Sequence, residues 1–225
     1  ALSAIDANKD RPFFIYLAHW AVHSPLQATR EDYEAVGDIQ PHRLRVYAAM
    51  VRALDRSVGR ILDKLEEEGL ADNTLVLFSS DNGPEVPTVI DMRKTYKHDG
   101  ARPWRGVKRD QWEGGHRVPF IARWPKKIKD GSTSAQTICL TDVMATCAAL
   151  TGATIPPNAA EDSYNILPVL LGQAGAKVAM NYSNNEERAA KAFAEFEATG
   201  AEGAMIRANV TDEADVNRLV AEAGE

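Results

Sequence analysis

The hydrophobic positions of this chain change their period several times, and each change marks an element. Leu44, Tyr47, Val51, Leu54, Val58, Ile61, Leu62 and Leu65 recur at helical spacing between Pro41 and Glu68, which predicts one long amphipathic helix. Pro41 suits its first turn and Gly69 its C-terminal cap. Short unbroken apolar runs predict buried strands instead. One covers residues 13–18, "FFIYLA", with Ser24-Pro25 as the breaker beyond it. A second lies in "NTLVLFSS", residues 73–80, and a third in "VPFIARWP", residues 118–125, stopped by Pro125. "TDVMATCAALTG" reads as a helix with Thr141 or Asp142 near its N-cap and Gly152 at its end. "SYNILPVLLG", residues 163–172, is a short apolar segment suited to a domain edge. Residues 84–117 show no period and read as irregular, and residues 1–10, "ALSAIDANKD", are polar and read as mid-domain sequence.

After Gly172 the pattern becomes regular. "AKVAMNYS" and "EGAMIRANV" predict strands, and each is followed by a helical stretch. The first helix opens on a capping box, Ser183-x-x-Glu186, and the second on Thr211 with acids in its first turn. The expected order is strand–helix–strand–helix.

Composition narrows the class. Of 225 residues, 44% are hydrophobic and 26% charged, which suits a globular domain with a core. The net charge of -6, with acids and bases mixed along the chain, gives no basic face for nucleic acid. No apolar run reaches the length of a membrane span, and no signal peptide is visible. Cys139 and Cys147 form no metal motif and read as small buried thiols about two turns apart on one helix.

The candidate chemistry sits where strands end, since ligands in open α/β sheets bind at strand carboxyl ends. His23 follows the first predicted strand and Asp81-Asn82 follows the second. A carboxylate beside an amide carbonyl suits a hard divalent cation such as Ca²⁺ or Mg²⁺. Asp-Asn-Gly is equally a common turn, with Gly83 letting the chain bend sharply. The loop "WRGVKRDQWEGGHRVP" adds Lys108 and His116. A lysine near a cation and a histidine suits a tetrahedral oxyanion; taken singly, Lys108 and Arg117 read as surface charges.

Five stretches in order resemble the type I sulfatases, the arylsulfatase-like branch of the alkaline phosphatase superfamily. They are "HSPL" at residues 23–26, "NTLVLFSSDNGPE" at 73–85, "RGVKRDQWEGGHRVPFIARWP" at 105–125, "TDVMATCAALTG" at 141–152 and "DSYNILPVLLG" at 162–172. The resemblance covers roughly residues 1–172 and implies hydrolysis of a sulfate ester, a small molecule or a sulfated carbohydrate. It implies that His23 and Lys108 contact the sulfate; His116 is a further candidate substrate contact from its place in the same loop. It implies that Asp81 and Asn82 ligate calcium, and that Glu113, Gly114 and Gly115 shape the loop behind the lysine. Family chemistry also needs a formylglycine made from a C/S-x-P-x-R motif, and the 225 residues contain none. The paired aspartates that complete the family's calcium shell are expected upstream of His23. The family implies a periplasmic or secreted setting. Phosphatases and phosphodiesterases of the same superfamily favour His/Asp zinc ligands, and Asp-Asn with Lys108 favours sulfate over them.

Residues from about 174 to 225 resemble a fragment of the short-chain dehydrogenase/reductases. Asn181, Tyr182 and Ser183 match the loop that chooses the cofactor there, and its lack of an acid leans to NADP. Asn209 and Val210 match the pair that meets the adenine. The Gly-rich first turn and the Tyr-x-x-x-Lys pair are missing, so these five positions read as vestigial and NADP binding is not expected. The expected fold is therefore α/β. A partial alkaline-phosphatase-like mixed sheet flanked by helices occupies residues 1–172, and a small Rossmann-like β-α-β-α segment occupies 174–225. Such a chain is expected to be a sulfatase portion inactive alone, or a non-catalytic remnant or chimera that binds a divalent cation or an anion weakly. Lys97, His98 and Arg102 are further positions suited to an anionic or sugar substrate.

Overall fold

A computed structural model describes residues 1–173, 178–182, 185–198, 203–209 and 211–223. The chain divides into two compact units, Ala1–Lys127 and Ile128–Glu225. The junction expected from sequence near residue 173 falls inside the second.

The first unit is built on α3, the long helix His42–Glu67. Gly69 lies just past its end at φ +67°, a left-handed position open to glycine at little cost. Two shorter helices precede it: α1, Leu2–Asn8, and α2, Arg30–Ala35. The polar opening residues thus form a helix that the sequence reading left out. Its one buried side chain, Ile5, joins Leu65 of α3 and Ala71 in a small core, against which Phe13, Ile61, Leu70 and Val76 pack. An ion pair fastens α2 to α3. Asp32 is fully buried, and Arg52 and Arg56 reach it from α3, with Arg56 Nη2 donating to Oδ2 at 2.8 Å. Those guanidinium contacts, Arg56 first, and the Thr29 hydroxyl hold its carboxyl well below the usual range.

Strands β1, Val76–Ser79, and β2, Phe120–Arg123, pair antiparallel with Val76 opposite Arg123 and Ser79 opposite Phe120. Both were legible as apolar runs, but they form a separate two-stranded sheet and not a larger mixed one. Residues 13–18 make no strand. Phe14 and Tyr16 are 76% and 84% exposed. A strand needs a neighbour for its backbone N–H and C=O groups, and among the described residues none lies alongside.

The stretch predicted to be irregular contains α4, Val86–Tyr96. Glu85 caps it, accepting from the Val86 N–H at 2.8 Å, and Pro87 sits in its first turn, where a missing N–H costs nothing. Arg43 of α3 holds Asp91 of α4, its Nε donating to Oδ2 at 2.8 Å. A single helical turn, α5, covers Glu113–His116.

In the second unit, α6 spans Asp142–Thr151 and ends at Gly152 with φ +71°. Cys139 precedes this helix and is exposed, while Cys147 lies on it half-buried, so the two thiols do not share a helix face. Asp142 is buried and accepts from the backbone N–H groups of Cys139 and Tyr164. The apolar segment before Gly172 forms the short α7, Leu167–Leu170. The tail follows the expected order: β3, Val178–Tyr182, α8, Glu186–Glu197, β4, Gly203–Arg207, and α9, Glu213–Ala223. β3 and β4 run parallel, Val178 opposite Gly203. The expected capping serine, Ser183, lies outside the described residues. Asn185 Oδ1 accepts from the Arg188 N–H at 2.9 Å and caps α8, while Asp212 Oδ1 accepts from the Ala214 and Asp215 N–H groups and caps α9.

Candidate active site

β1 ends at Ser79, and the next residues turn into a loop held by its own polar groups. Ser80 Oγ donates to the Asn82 carbonyl at 3.1 Å, and Asn82 Nδ2 donates to the Gly83 carbonyl at 2.9 Å. That bond orients the amide and leaves Oδ1 as acceptor. Asp81 is exposed and Asn82 half-buried.

Gly83 has another use than the sharp bend expected of it, for its φ is not positive. Its N–H donates to Gly115 O at 2.8 Å, and a Cβ there would stand 1.9 Å from Gly114 O. The strand tip and α5 touch backbone to backbone. Behind this contact the Lys108 loop is knotted in the same way. Gly114 N–H donates to Arg105 O at 2.8 Å, and Cβ atoms on Gly114 and Gly115 would fall 2.3 Å from Gly106 O and 2.2 Å from Asp110 O. Gly106 alone in the loop needs the left-handed region, at φ +91°. The "EGG" stretch is thus the seat of the loop, as expected of a shaping role.

The knot presents Lys108. Its N–H donates to Pro84 O at 2.9 Å, which ties the loop to the segment beyond the strand tip. Its ammonium lies 3.2 Å from His23 Nε2, across 85 residues of sequence. His23 is placed by a turn in which its N–H donates to Trp20 O at 3.0 Å, and its Nδ1 lies 2.8 Å from Ser24 O. A carbonyl only accepts, so Nδ1 carries the proton and Nε2 offers its lone pair to the lysine. Two N–H donors of the ammonium remain for an anion.

His116 pairs with Glu113 at 3.4 Å and is exposed. Glu113 is held below the usual carboxylate range by Arg117, with His116 a lesser cause. Arg102 stays exposed and pairs with the buried Asp99 at 3.3 Å, Lys97 closes α4 at φ 53°, and His98 N–H donates to Met92 O. Burial pushes the Asp99 carboxyl up, but the Arg93 guanidinium and the Ala101 N–H outweigh it and the net shift is downward.

Two participants escaped the sequence reading. Glu85 pairs with Arg109 at 3.0 Å, and Arg109 together with the Val86 N–H lowers its pKa. Arg105 stacks on Trp112 at 3.8 Å and Arg117 on Trp104 at 4.2 Å, so the loop's aromatics are half-covered by its own cations. Glu85 next to "DNGP" and an arginine next to the lysine were visible as charges, but nothing in their spacing joined them.

Asp81 and Asn82 have the donor chemistry of a hard cation's ligands, yet calcium takes six to eight oxygens. Among the described residues no three His, Cys, Asp or Glu side chains gather to hold a metal ion. The two side chains are only a part of such a shell. In the tail, Asn209 Oδ1 accepts from the Thr211 N–H and hydroxyl, a turn within the chain. Ser183 and Val210, and the side chains of Asn181 and Tyr182, lie outside the described residues. No helix among the described residues is long and apolar enough to cross a membrane.

Comparison with known proteins sets this geometry in a family. The mouse protein Arylsulfatase G is 35% identical over 176 residues, covering 74% of this chain and 31% of that protein. An N-acetylgalactosamine-6-O-sulfatase of Bacteroides thetaiotaomicron is 33% identical over 181 residues, covering 77% of this chain and 33% of that one. The solved structure of Ps i-CgsB in complex with k-i-k-neocarrahexaose superposes with a TM-score of 0.69 at 35% identity, over 78% of this chain and 38% of that one. The chain thus spans about a third of the length of the curated relatives it matches. Residues 1–153 match the family model described as Sulfatase, and the chain belongs to the sulfatase family.

Proposed function

We propose that this chain carries the sulfate-holding part of a sulfuric ester hydrolase. The observation that carries the reading is the 3.2 Å contact between Lys108 Nζ and His23 Nε2, beside a strand tip bearing two oxygen donors. His23 fixes the ammonium, and the remaining N–H groups of Lys108 point a compact positive charge at a tetrahedral anion. The same charge would oppose the negative charge that builds on the ester's oxygens as the S–O bond breaks. Asp81 and Asn82 would supply two oxygen ligands for a calcium ion. When bound, that ion adds Lewis-acid stabilisation of the sulfate oxygens.

The substrate class proposed is a sulfated carbohydrate. An N-acetylgalactosamine-6-O-sulfatase and a structure holding a neocarrahexaose stand among the relatives, which supports this choice. Because the 225 residues contain no C/S-x-P-x-R motif, they are expected to bind sulfate without turning over its ester. Residues 174–225 are proposed to be a separate segment by descent, a structural β-α-β-α module related to the short-chain dehydrogenase/reductases, with no dinucleotide site.

Calorimetric titration of inorganic sulfate into the chain tests the reading. Lys108→Ala is expected to weaken binding at least tenfold, the scale of a lost charge-assisted contact of about 1.5–3 kcal/mol. Equal binding by Lys108→Ala and the parent chain overturns it. An aryl sulfate assay completes the test: turnover by these residues contradicts the expected inactivity.

A further inference from the structure

Consecutive residues on one segment hold consecutive residues on another. Pro84 O accepts from the Lys108 N–H at 2.9 Å, and the Glu85 carboxylate accepts from Arg109 Nη2 at 3.0 Å. We propose that the Glu85–Arg109 ion pair is a positioning device that fixes Lys108 relative to the Asp81–Asn82 strand tip. The proposal rests on the reading of this place as a sulfate site.

One attachment fixes a distance; two neighbouring attachments also fix an orientation. Beside the backbone bond of Lys108, the ion pair adds an attachment one residue further on, and it is made by a residue that is itself anchored. Glu85 Oε1 accepts from the Val86 N–H at 2.8 Å, and the Glu85 carbonyl accepts from Thr88 Oγ at 2.9 Å. Glu85 is therefore seated on the first turn of α4, and Arg109 is tied to a rigid post. On the other flank, the Gly83 N–H bond to Gly115 O holds the strand tip to α5. The side chain of Arg109 is 75% exposed and that of Glu85 29%. An ion pair so exposed adds little to global stability, so its effect belongs in the geometry of the site. Neither residue is placed against the anion. Both act through Lys108.

Amide hydrogen exchange of the ligand-free chain, read together with sulfate titration, tests the pair. Arg109→Ala and Glu85→Gln are each expected to speed exchange of the Lys108 amide about three- to fivefold, the scale set by one exposed ion pair. The amides of β1 are expected to keep their rates. Sulfate affinity falls by a similar factor in either variant, falls no further in the double variant, and recovers in part with Arg109→Lys. Glu85→Gln keeps a cap acceptor for α4, so a loss there reports the charge pair and not the helix start. An unchanged Lys108 amide in Arg109→Ala overturns the positioning role whatever the sulfate result. Faster exchange in a chain that binds no sulfate supports the tether and overturns the functional reading. Equal sulfate affinity in all variants of a sulfate-binding chain overturns the inference and leaves that reading in place.

Discussion

Residues 13–18 and 75–79 are the same kind of sequence: a short apolar run followed by polar residues suited to a ligand. Their fates differ. Val76–Ser79 is a strand paired with Phe120–Arg123, and its tip is stitched to α5 and to the Lys108 loop. Residues 13–18 form no strand and leave Phe14 and Tyr16 largely in solvent. Strand propensity is permission and not cause. The backbone needs a partner, and half-buried side chains need a surface to cover. His23 nevertheless reaches Lys108, because it is delivered by a local turn and needs no sheet to carry it.

The largest way to break this contrast is at the stitched end. Gly83→Ala puts a Cβ 1.9 Å from a carbonyl oxygen of the backbone, which cannot rotate away. Urea denaturation is expected to show a loss of about 3 kcal/mol, the upper part of the overpacking range. Gly59, inside α3, has nothing within 4 Å of such a Cβ, and Gly59→Ala is expected to gain about 0.8–1 kcal/mol through helix propensity. Loss at one glycine and gain at the other separates close approach from mere flexibility.

The strands themselves give the next effect. Phe78→Ser in half-buried β1 is expected to cost about 1.5 kcal/mol, part of a full aromatic burial. Tyr16→Ser, at a side chain 84% exposed, is expected to change stability by less than about 0.5 kcal/mol. Equal costs at the two positions would mean that residues 13–18 are packed in solution as a strand is.

Acid gives a smaller, graded effect. Asp32, Glu85 and Glu113 are all held below the ordinary carboxylate range, by Arg56, Arg109 and Arg117 foremost. A depressed pKa means that the unfolded chain binds protons first as pH falls. The stability from these pairs is complete above about pH 5 and drains away below about pH 4. An acid titration of the melting temperature should show this decline, most of it from the buried Asp32, and Arg109→Ala should change it little.

The sequence made some of this legible and not the rest, for identifiable reasons. The long helix at 42–67 declared itself because its stripe runs for seven turns between a proline and a glycine. β1 and β2 were legible as runs, but their pairing was not, since register depends on a partner about forty residues away. The α4 helix was hidden by Pro87, which reads as a breaker until it is seen in a first turn. His23 and Lys108 were named from the order of family motifs, and they meet. Glu85 and Arg109 were missed because an ion pair between two loops leaves no periodic trace. Gly83 was noticed for bending and is needed for contact. That difference is invisible until Gly114 is placed against it.

The central claim is that the strand tip and the Lys108 loop form one site and not two neighbouring polar patches. Coupled titration of calcium and inorganic sulfate tests it most directly, because linkage between two ligands is reciprocal. Calcium should raise sulfate affinity, sulfate should raise calcium affinity by the same factor, and Asn82→Ala should abolish both effects while Lys108 still binds sulfate weakly. Sulfate affinity that is indifferent to calcium, or coupling that survives Asn82→Ala unchanged, would contradict a single site.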